Sequence, residues 1–519
     1  MNGVKNFLNL MQGVLQEEAN VSVTENGALG YRTTGKALVD MNFAVASMRN
    51  MDEEQIVNKF IKVFYEDKCL AVKWLFYASD VREGLGERRL FRILLRYLAQ
   101  NHAEIAKAVL QLVPEYNRWD NLWCLLDTQL AEEVTAIVEK QLQEDMANCL
   151  ENKNISLLAK WMPSVNASCA ETKQYARILI QALDMSNAEY RKVLAKLRAH
   201  LKVIEVSMSK GQWEEIVYEH VPSRANLLYK EAFLRHDKER REHYLESLKK
   251  GEATIHSQVL FPQDIVHKYY EGWGYSRRLR GEADTTLEEL WKALPDYVQG
   301  DGKTLCVVDG SGSMTRVVGS TGVSCLQVAH ALGIYFAERC CKELKDKYIT
   351  FSMRPQFVDL SRGKNLREKL EIASAYTEVA NTNIEAVFTL LLQTAVKAHL
   401  KQSEMPENIL ILSDMEFDSC TRFGGDNVRP DERLFTTIAK RYAQYGYKLP
   451  RLVFWNIAGR TGTIPVKENA LGVALVSGFS PAAMKLVLSN STDPFVCLLE
   501  ELNSERYAAV EEAIAGLTD

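Results

Sequence analysis

Residues 304–316 read TLCVVDGSGSMTR, and Asp309, Ser311 and Ser313 fall at every second position, separated by Gly310 and Gly312. One carboxylate and two hydroxyls at that spacing are hard oxygen donors. Such donors suit Mg²⁺, Mn²⁺ or Ca²⁺ and suit soft metals poorly. The same residues also read as a Gly/Ser turn whose aspartate caps the next helix. A metal at this loop needs further ligands, and two stand downstream. Thr382 lies in VANTNIEAVF, just ahead of a helical stretch, and Asp414 ends the apolar run NILILSD.

Ligand sites of open α/β sheets lie at the carboxyl ends of the strands, so the surrounding sequence must supply a parallel sheet. It does so from about residue 301. Short runs rich in β-branched residues predict strands at 304–308, 348–352, 356–359, 408–412, 452–457 and 473–476. Helical stretches such as CLQVAHALGIYFAERCCKEL, NIEAVFTLLLQTAVKAHL and DERLFTTIAKRYAQYG separate most of them. This alternation predicts a doubly wound, mostly parallel sheet over 301–519. The preceding part, 1–300, shows helical periodicity almost throughout and predicts an α-solenoid of divergent repeats, open or closed into a ring. DYVQGDGK, at 296–303, reads as the linker. VTENGALGYRTTGKALVD reads as a loop or short hairpin, and EGLGERR as a helix–helix turn without the Lys-Ser/Thr of a P-loop.

One Asp-x-Ser-x-Ser loop, a threonine loop and a second strand-end aspartate, in that order, resemble the metal-ion-dependent adhesion site of von Willebrand factor type A domains. The resemblance covers roughly 301–519. It implies direct coordination by Ser311 and Ser313, direct or water-mediated coordination by Thr382, and mostly water-mediated contact from Asp309 and Asp414. It also implies that an acidic group of a partner protein completes the shell. Two departures stand out. The threonine loop reads NTN where many members have Gly-Gly-Thr, and SDMEFD replaces the usual Asp-Gly. Met415 is therefore expected to alter the rim, and Glu416 or Asp418 to add negative charge to it. A helical region followed by this domain is similar in layout to TROVE/Ro proteins, which bind structured or misfolded small RNAs on helical repeats. KWLFYASDVREGLGERRLFR, NRWDNLW and SLLAKWMPS resemble an uncharacterised bacterial and viral branch of that family more closely.

RNA binding asks for basic surface. The net charge is −5, which does not announce a nucleic-acid binder. Residues 151–250 nevertheless hold 18 Lys/Arg against 13 Asp/Glu, a net +5. Arg191, Lys192, Lys196, Arg198 and Lys202 fall on one helix, and Arg277, Arg278 and Arg280 follow Trp273 and Tyr275. These are candidates for phosphate contact and base stacking on structured or single-stranded RNA; a solvated helix face is the alternative. Trp74, Trp119, Trp123, Trp161 and His330 sit in apolar periodicity and are expected in the core. No GxSxG, HExxH or Cys/His pairing appears, so the expectation is a binding protein and not an enzyme. The competing expectation is a metal-dependent adaptor or chaperone-like assembly factor without RNA. Ten scattered cysteines, no signal-like N-terminus and no long apolar run predict a cytoplasmic protein without a membrane span.

Overall fold

The computed structural model describes residues 11–12, 15, 19–25, 29–272, 278–298, 303–341, 343–352, 354–376, 384–416, 422–423, 426–427, 432–465, 473–488 and 493–517. A largely helical N-terminal region is followed by a mostly parallel six-stranded α/β domain. The compact units do not follow a single break near residue 300. One joins Met1–Asp52 to Leu260–Glu501, and the other joins Glu53–Val259 to Leu502–Asp519.

The first unit opens with a hairpin of β1 (Val21–Val23) and β2 (Leu29–Tyr31), where a loop or hairpin was expected. Its main sheet contains β3 (Thr304–Asp309), β4 (Lys347–Phe351), β5 (Phe357–Asp359), β6 (Asn408–Ser413), then β9 (Arg451–Asn456) and β10 (Ala474–Ser477). A two-residue pair, β7 (Arg422–Phe423) and β8 (Asp426–Asn427), stands apart. The order across the sheet is β10-β9-β6-β3-β4-β5. Every pairing is parallel except β4–β5, whose antiparallel strand occupies the edge.

Every residue of β3 is buried, as a strand covered on both faces requires. Leu305, Val307, Ile409, Ile411, Leu452 and Phe454 pack on one face with Val387 and Phe388 of the helix Ile384–Ala398 and with Tyr442 of the helix Glu432–Gln444. The opposite face carries the helix Cys325–Arg339. Its Phe336 ring meets Trp455 at 5.3 Å, and Gly333 lies so close to the sheet that a Cβ there would fall 2.7 Å from Val308 Cγ2. Helices therefore cover both faces. The chain leaves β3 for β4 by one face and reaches β9 from β6 by the other, so the sheet reverses its winding between β3 and β6.

The first 52 residues belong to this sheet unit by direct contact. Tyr31 and Ile464 exchange backbone hydrogen bonds of 2.9 and 2.8 Å, and Asn456 Nδ2 donates to the carbonyl of Phe43 at 2.8 Å. His330 is buried as expected, its Nδ1 2.8 Å from the Tyr270 hydroxyl.

The second unit is helical. The helix Lys68–Ser79 is buried along most of its length, and the helix Arg88–Asn101 buries one face. They are joined by the expected turn, in which Gly84 admits no side chain: a Cβ would meet the Tyr77 carbonyl at 1.9 Å. The C-terminus returns to this unit. Tyr507 stacks on Tyr116 at 5.8 Å, Arg506 Nε donates to buried Asp80 at 2.8 Å, and buried Lys73 meets Glu511 at 2.6 Å. Trp74, Trp119 and Trp123 are buried. Trp161 is only half-buried, with the Arg118 guanidinium 4.0 Å from its ring centre; apolar periodicity cannot separate a core position from a cavity wall. Among the described residues no helix is long and apolar enough to cross a membrane.

Candidate metal centre

β3 and β6 run side by side in register, with Val308 opposite Leu412. Asp309 therefore ends one strand next to Ser413, and Asp414 leaves the other. Both lie at the carboxyl edge, at the point where the winding reverses, which is where open α/β sheets form ligand sites. Asp309 is held on both oxygens. Oδ1 accepts from the Ser311 backbone N–H at 2.9 Å and Oδ2 from the Ser413 hydroxyl at 2.6 Å. Gly312–Thr315 then forms a 3₁₀ turn, and the Ser311 and Ser313 hydroxyls lie 3.0 Å apart.

Asp414 is different. It is 1% exposed. Among the described residues its Oδ1 accepts only a long bond, 3.3 Å, from the Glu416 N–H, and its buried Oδ2 has no hydrogen-bond partner. The Ser313 hydroxyl is near enough to favour the charged form, yet no bond of ordinary geometry reaches Oδ2. Burial, followed by the negative charge of Asp309, pushes Asp414 up to about 7. Burial, and then the charge of Asp414, likewise raises the Cys325 thiol to about 12. An orphaned carboxylate oxygen in the interior is costly. Here it sits beside a second carboxylate and two hydroxyls, so a hard cation fits the donor set. Among the described residues no three carboxylates, imidazoles or thiols come together as a metal cluster. What converges is two carboxylates and two hydroxyls, and this composition excludes a soft-metal site.

The structure thus brings Asp309, Ser311, Ser313 and Asp414 to one sheet edge. Thr382 and Asp418 lie outside the described residues. Met415 does not shape the rim as expected. It is 2% exposed within the core cluster, at φ 61°, a left-handed conformation in which a non-glycine residue is strained. Its apolar side chain anchors the loop that carries Asp414. Nor does Glu416 project charge onto a rim. It is buried; Oε1 accepts from the N–H groups of Arg460 and Thr461 at 2.5 and 2.9 Å, and Oε2 from that of Glu25 at 2.8 Å. Sequence reasoning missed this clamp, and it also missed Ser413, whose position at a strand end next to Asp414 was the available signal. Arg316 was missed too. Its Nη2 donates to the Ala458 carbonyl at 2.7 Å and its guanidinium reaches the Cys325 thiol.

The basic candidates divide between the two units. Arg191, Lys192, Lys196 and Lys202 are exposed on or next to the helix Asn187–His200, opposite its buried Tyr190, Leu194 and Leu197. Arg198 is half-buried and donates to the carbonyls of Ala159 and Met162, each at 2.8 Å, so part of its guanidinium serves the fold. Arg278 and Arg280 are exposed in the sheet unit. Arg277, Trp273 and Tyr275 lie outside the described residues.

Two family models match the chain. Residues 303–510 match a domain of unknown function (DUF7788), and residues 128–304 match another (DUF2828). The two matches meet at 303–304. The chain is also 29% identical over 530 residues to an uncharacterized protein, L728, of Acanthamoeba polyphaga mimivirus, covering 93% of this chain and 87% of that protein.

Proposed function

We propose that the chain is a non-catalytic recognition protein whose sheet unit holds a divalent hard cation of the Mg²⁺, Mn²⁺ or Ca²⁺ class and captures an acidic group of a partner protein there. The observation that carries this reading is the buried, unpartnered Oδ2 of Asp414 beside Asp309, Ser311 and Ser313. Asp309, Ser311, Ser313 and Asp414 would hold the ion, with Thr382 as the remaining candidate. When bound, the ion supplies positive charge and open coordination positions for an anionic oxygen. The chain itself does the positioning. Ser413 and the Ser311 N–H fix Asp309, the Glu416 N–H orients Asp414, and Glu416 ties three loops behind them. Burial keeps water away from both carboxylates, which strengthens their pull on a cation. Thermal unfolding tests the reading: Mg²⁺ or Mn²⁺ should raise the melting temperature above that in EDTA, and identical curves with every hard divalent ion would reject it.

A second reading adds RNA of the kind bound by TROVE/Ro proteins, carried by the helical unit of a cytoplasmic protein. It is supported by the exposed row of Arg191, Lys192 and Lys196, in which, among the described residues, neither lysine is paired with a carboxylate. None of the nine described cysteines is in a disulfide, which supports a reducing compartment. Phosphate contact predicts affinity that falls with salt, at a slope of roughly −0.7 per phosphate neutralised on a single strand. Lys192→Gln with Lys196→Gln should flatten that slope. A wild-type chain that binds no RNA at low salt leaves the metal-dependent adaptor as the reading.

A further inference from the structure

The helical unit contains a cavity of about 1140 Å³, bounded by residues between Ser79 and Val259. Its volume lies just above the roughly 300–1,000 Å³ of ordinary small-molecule pockets. Its chemistry is uneven. Six basic side chains and two acidic ones, Glu115 and Glu205, line it. Glu205 is already occupied by the Tyr229 hydroxyl at 3.3 Å, and Glu115 faces Arg506 at 3.6 Å.

The basic groups gather at one place. Asp120 is bonded by both Arg92 and Arg118. Arg88 lies close enough for the charges of Arg118, Asp120, Arg224 and Arg92 to act on it, and among the described residues no carboxylate is bonded to its guanidinium. Lys160 has no carboxylate partner either; its ammonium lies 5.5 Å from the centre of the Trp161 ring. The Arg118 guanidinium lies 4.0 Å from the same ring centre. One guanidinium and one ammonium thus lie against a half-buried indole, and Arg118 links them to the neighbouring group of Arg88, Arg92 and Asp120.

We infer that this cavity binds a phosphorylated, ring-bearing small molecule of the nucleotide class, with its phosphates against Arg88, Arg118 and Lys160 and its ring at the Trp161 end. Guanidinium forks match phosphate oxygens in geometry, and a lysine adds a point charge. A planar base finds a flat apolar partner in an indole. Burial and the charge of Arg118 push Arg88 down to about 10 even though Asp120 pulls the other way, so a bound dianion would act in the same sense as Asp120. Leu157 and Leu228, exposed on the cavity wall at 54% and 57%, offer further apolar surface to the ring. A phosphorylated nucleoside could arrive free or as the end of an RNA strand. The free molecule is favoured because the cationic groups are few and line one cavity, whereas a strand tracks an extended basic groove.

Calorimetry on the full chain, in EDTA so that the sheet unit's candidate metal centre stays silent, decides the matter. The probes are ADP, AMP, adenosine, inorganic pyrophosphate and a single-stranded oligouridine. ADP should bind, more tightly than adenosine or pyrophosphate alone, and more weakly as salt is raised. Arg88→Met and Lys160→Met should each lower ADP affinity by about tenfold or more, the loss expected for one charged hydrogen bond. Trp161→Leu should narrow the gap between ADP and pyrophosphate. Lys140→Gln, exposed on the helix Ala131–Leu150 and outside the cavity wall, should leave ADP affinity unchanged. If Arg88→Met does not fold, as judged by its melting curve, Lys160→Met carries the test. Failure of the wild-type chain to bind any of the free nucleotides at low salt overturns the assignment. So does oligouridine binding without nucleotide binding, or ADP affinity unchanged in Lys160→Met.

Discussion

Asp414→Asn separates the cost of the Asp414 charge from its use. The carboxyl is raised from 3.8 to about 7 by burial and by Asp309. At ~1.4 kcal/mol per tenfold change in proton affinity, that rise gives an upper bound of about 4 kcal/mol. The folded chain binds the proton more tightly than the unfolded chain. The metal-free protein therefore has its full stability below about pH 4, and loses it as the pH rises through about 7. Asparagine does not ionise and escapes that loss. In EDTA the variant should match the wild type at low pH and exceed it above pH 7. With half of the bound realised, and ~1 kcal/mol moving the melting point by roughly 2–4 °C in a large domain, the gain is about 4–8 °C. With Mg²⁺ present the order should close or reverse, because only the wild type gains by mass action. The assay is thermal unfolding at pH 5 and pH 8, in EDTA and in Mg²⁺. A variant that melts below the wild type at pH 8 in EDTA, or a gap of equal size at both pH values, would refute the reasoning.

Ser311→Ala and Ser313→Ala each remove one oxygen from the proposed shell; metal affinity should fall by on the order of tenfold, less than on losing either aspartate, and a titration showing no change would reduce these hydroxyls to turn formers. Gly333→Ala places a Cβ 2.7 Å from Val308 Cγ2. Overpacking costs about 1–3 kcal/mol against about 1 kcal/mol of helix propensity gained, so urea unfolding should report a net loss of up to about 2 kcal/mol; a stabilised variant would show that the helix Cys325–Arg339 moves freely off the sheet.

The strands at the centre of the site were legible because continuous β-branched runs such as LCVV and ILIL have few other uses. The observed strands begin and end within a residue or two of the expected ones. The antiparallel edge strand was not legible in direction, since local sequence does not encode the sense of pairing. Unit membership was hidden for a similar reason. Residues 1–52 join the sheet through contacts such as Tyr31–Ile464 and Asn456–Phe43, and the C-terminal helix Ala508–Ile514 joins the helical unit through Lys73–Glu511. All of these link residues hundreds of positions apart. Within SDMEFD, charge suggested a rim. Burial of Glu416 is decided by N–H groups from residues 25, 460 and 461, which no local pattern announces. Trp161 shows the same limit in the helical unit, where an apolar period placed it correctly on an inner face but could not tell packed core from cavity.

The central claim is a hard-cation site at the carboxyl edge of β3 and β6. Calorimetric titration of Mg²⁺ and Mn²⁺ into the wild-type chain, Asp309→Ala and Asp414→Asn tests it most directly. The account predicts one saturable site in the wild type, lost in both variants, with the melting curve of Asp414→Asn showing an intact fold. Absence of binding to the wild type, or equal binding to Asp414→Asn, would contradict it.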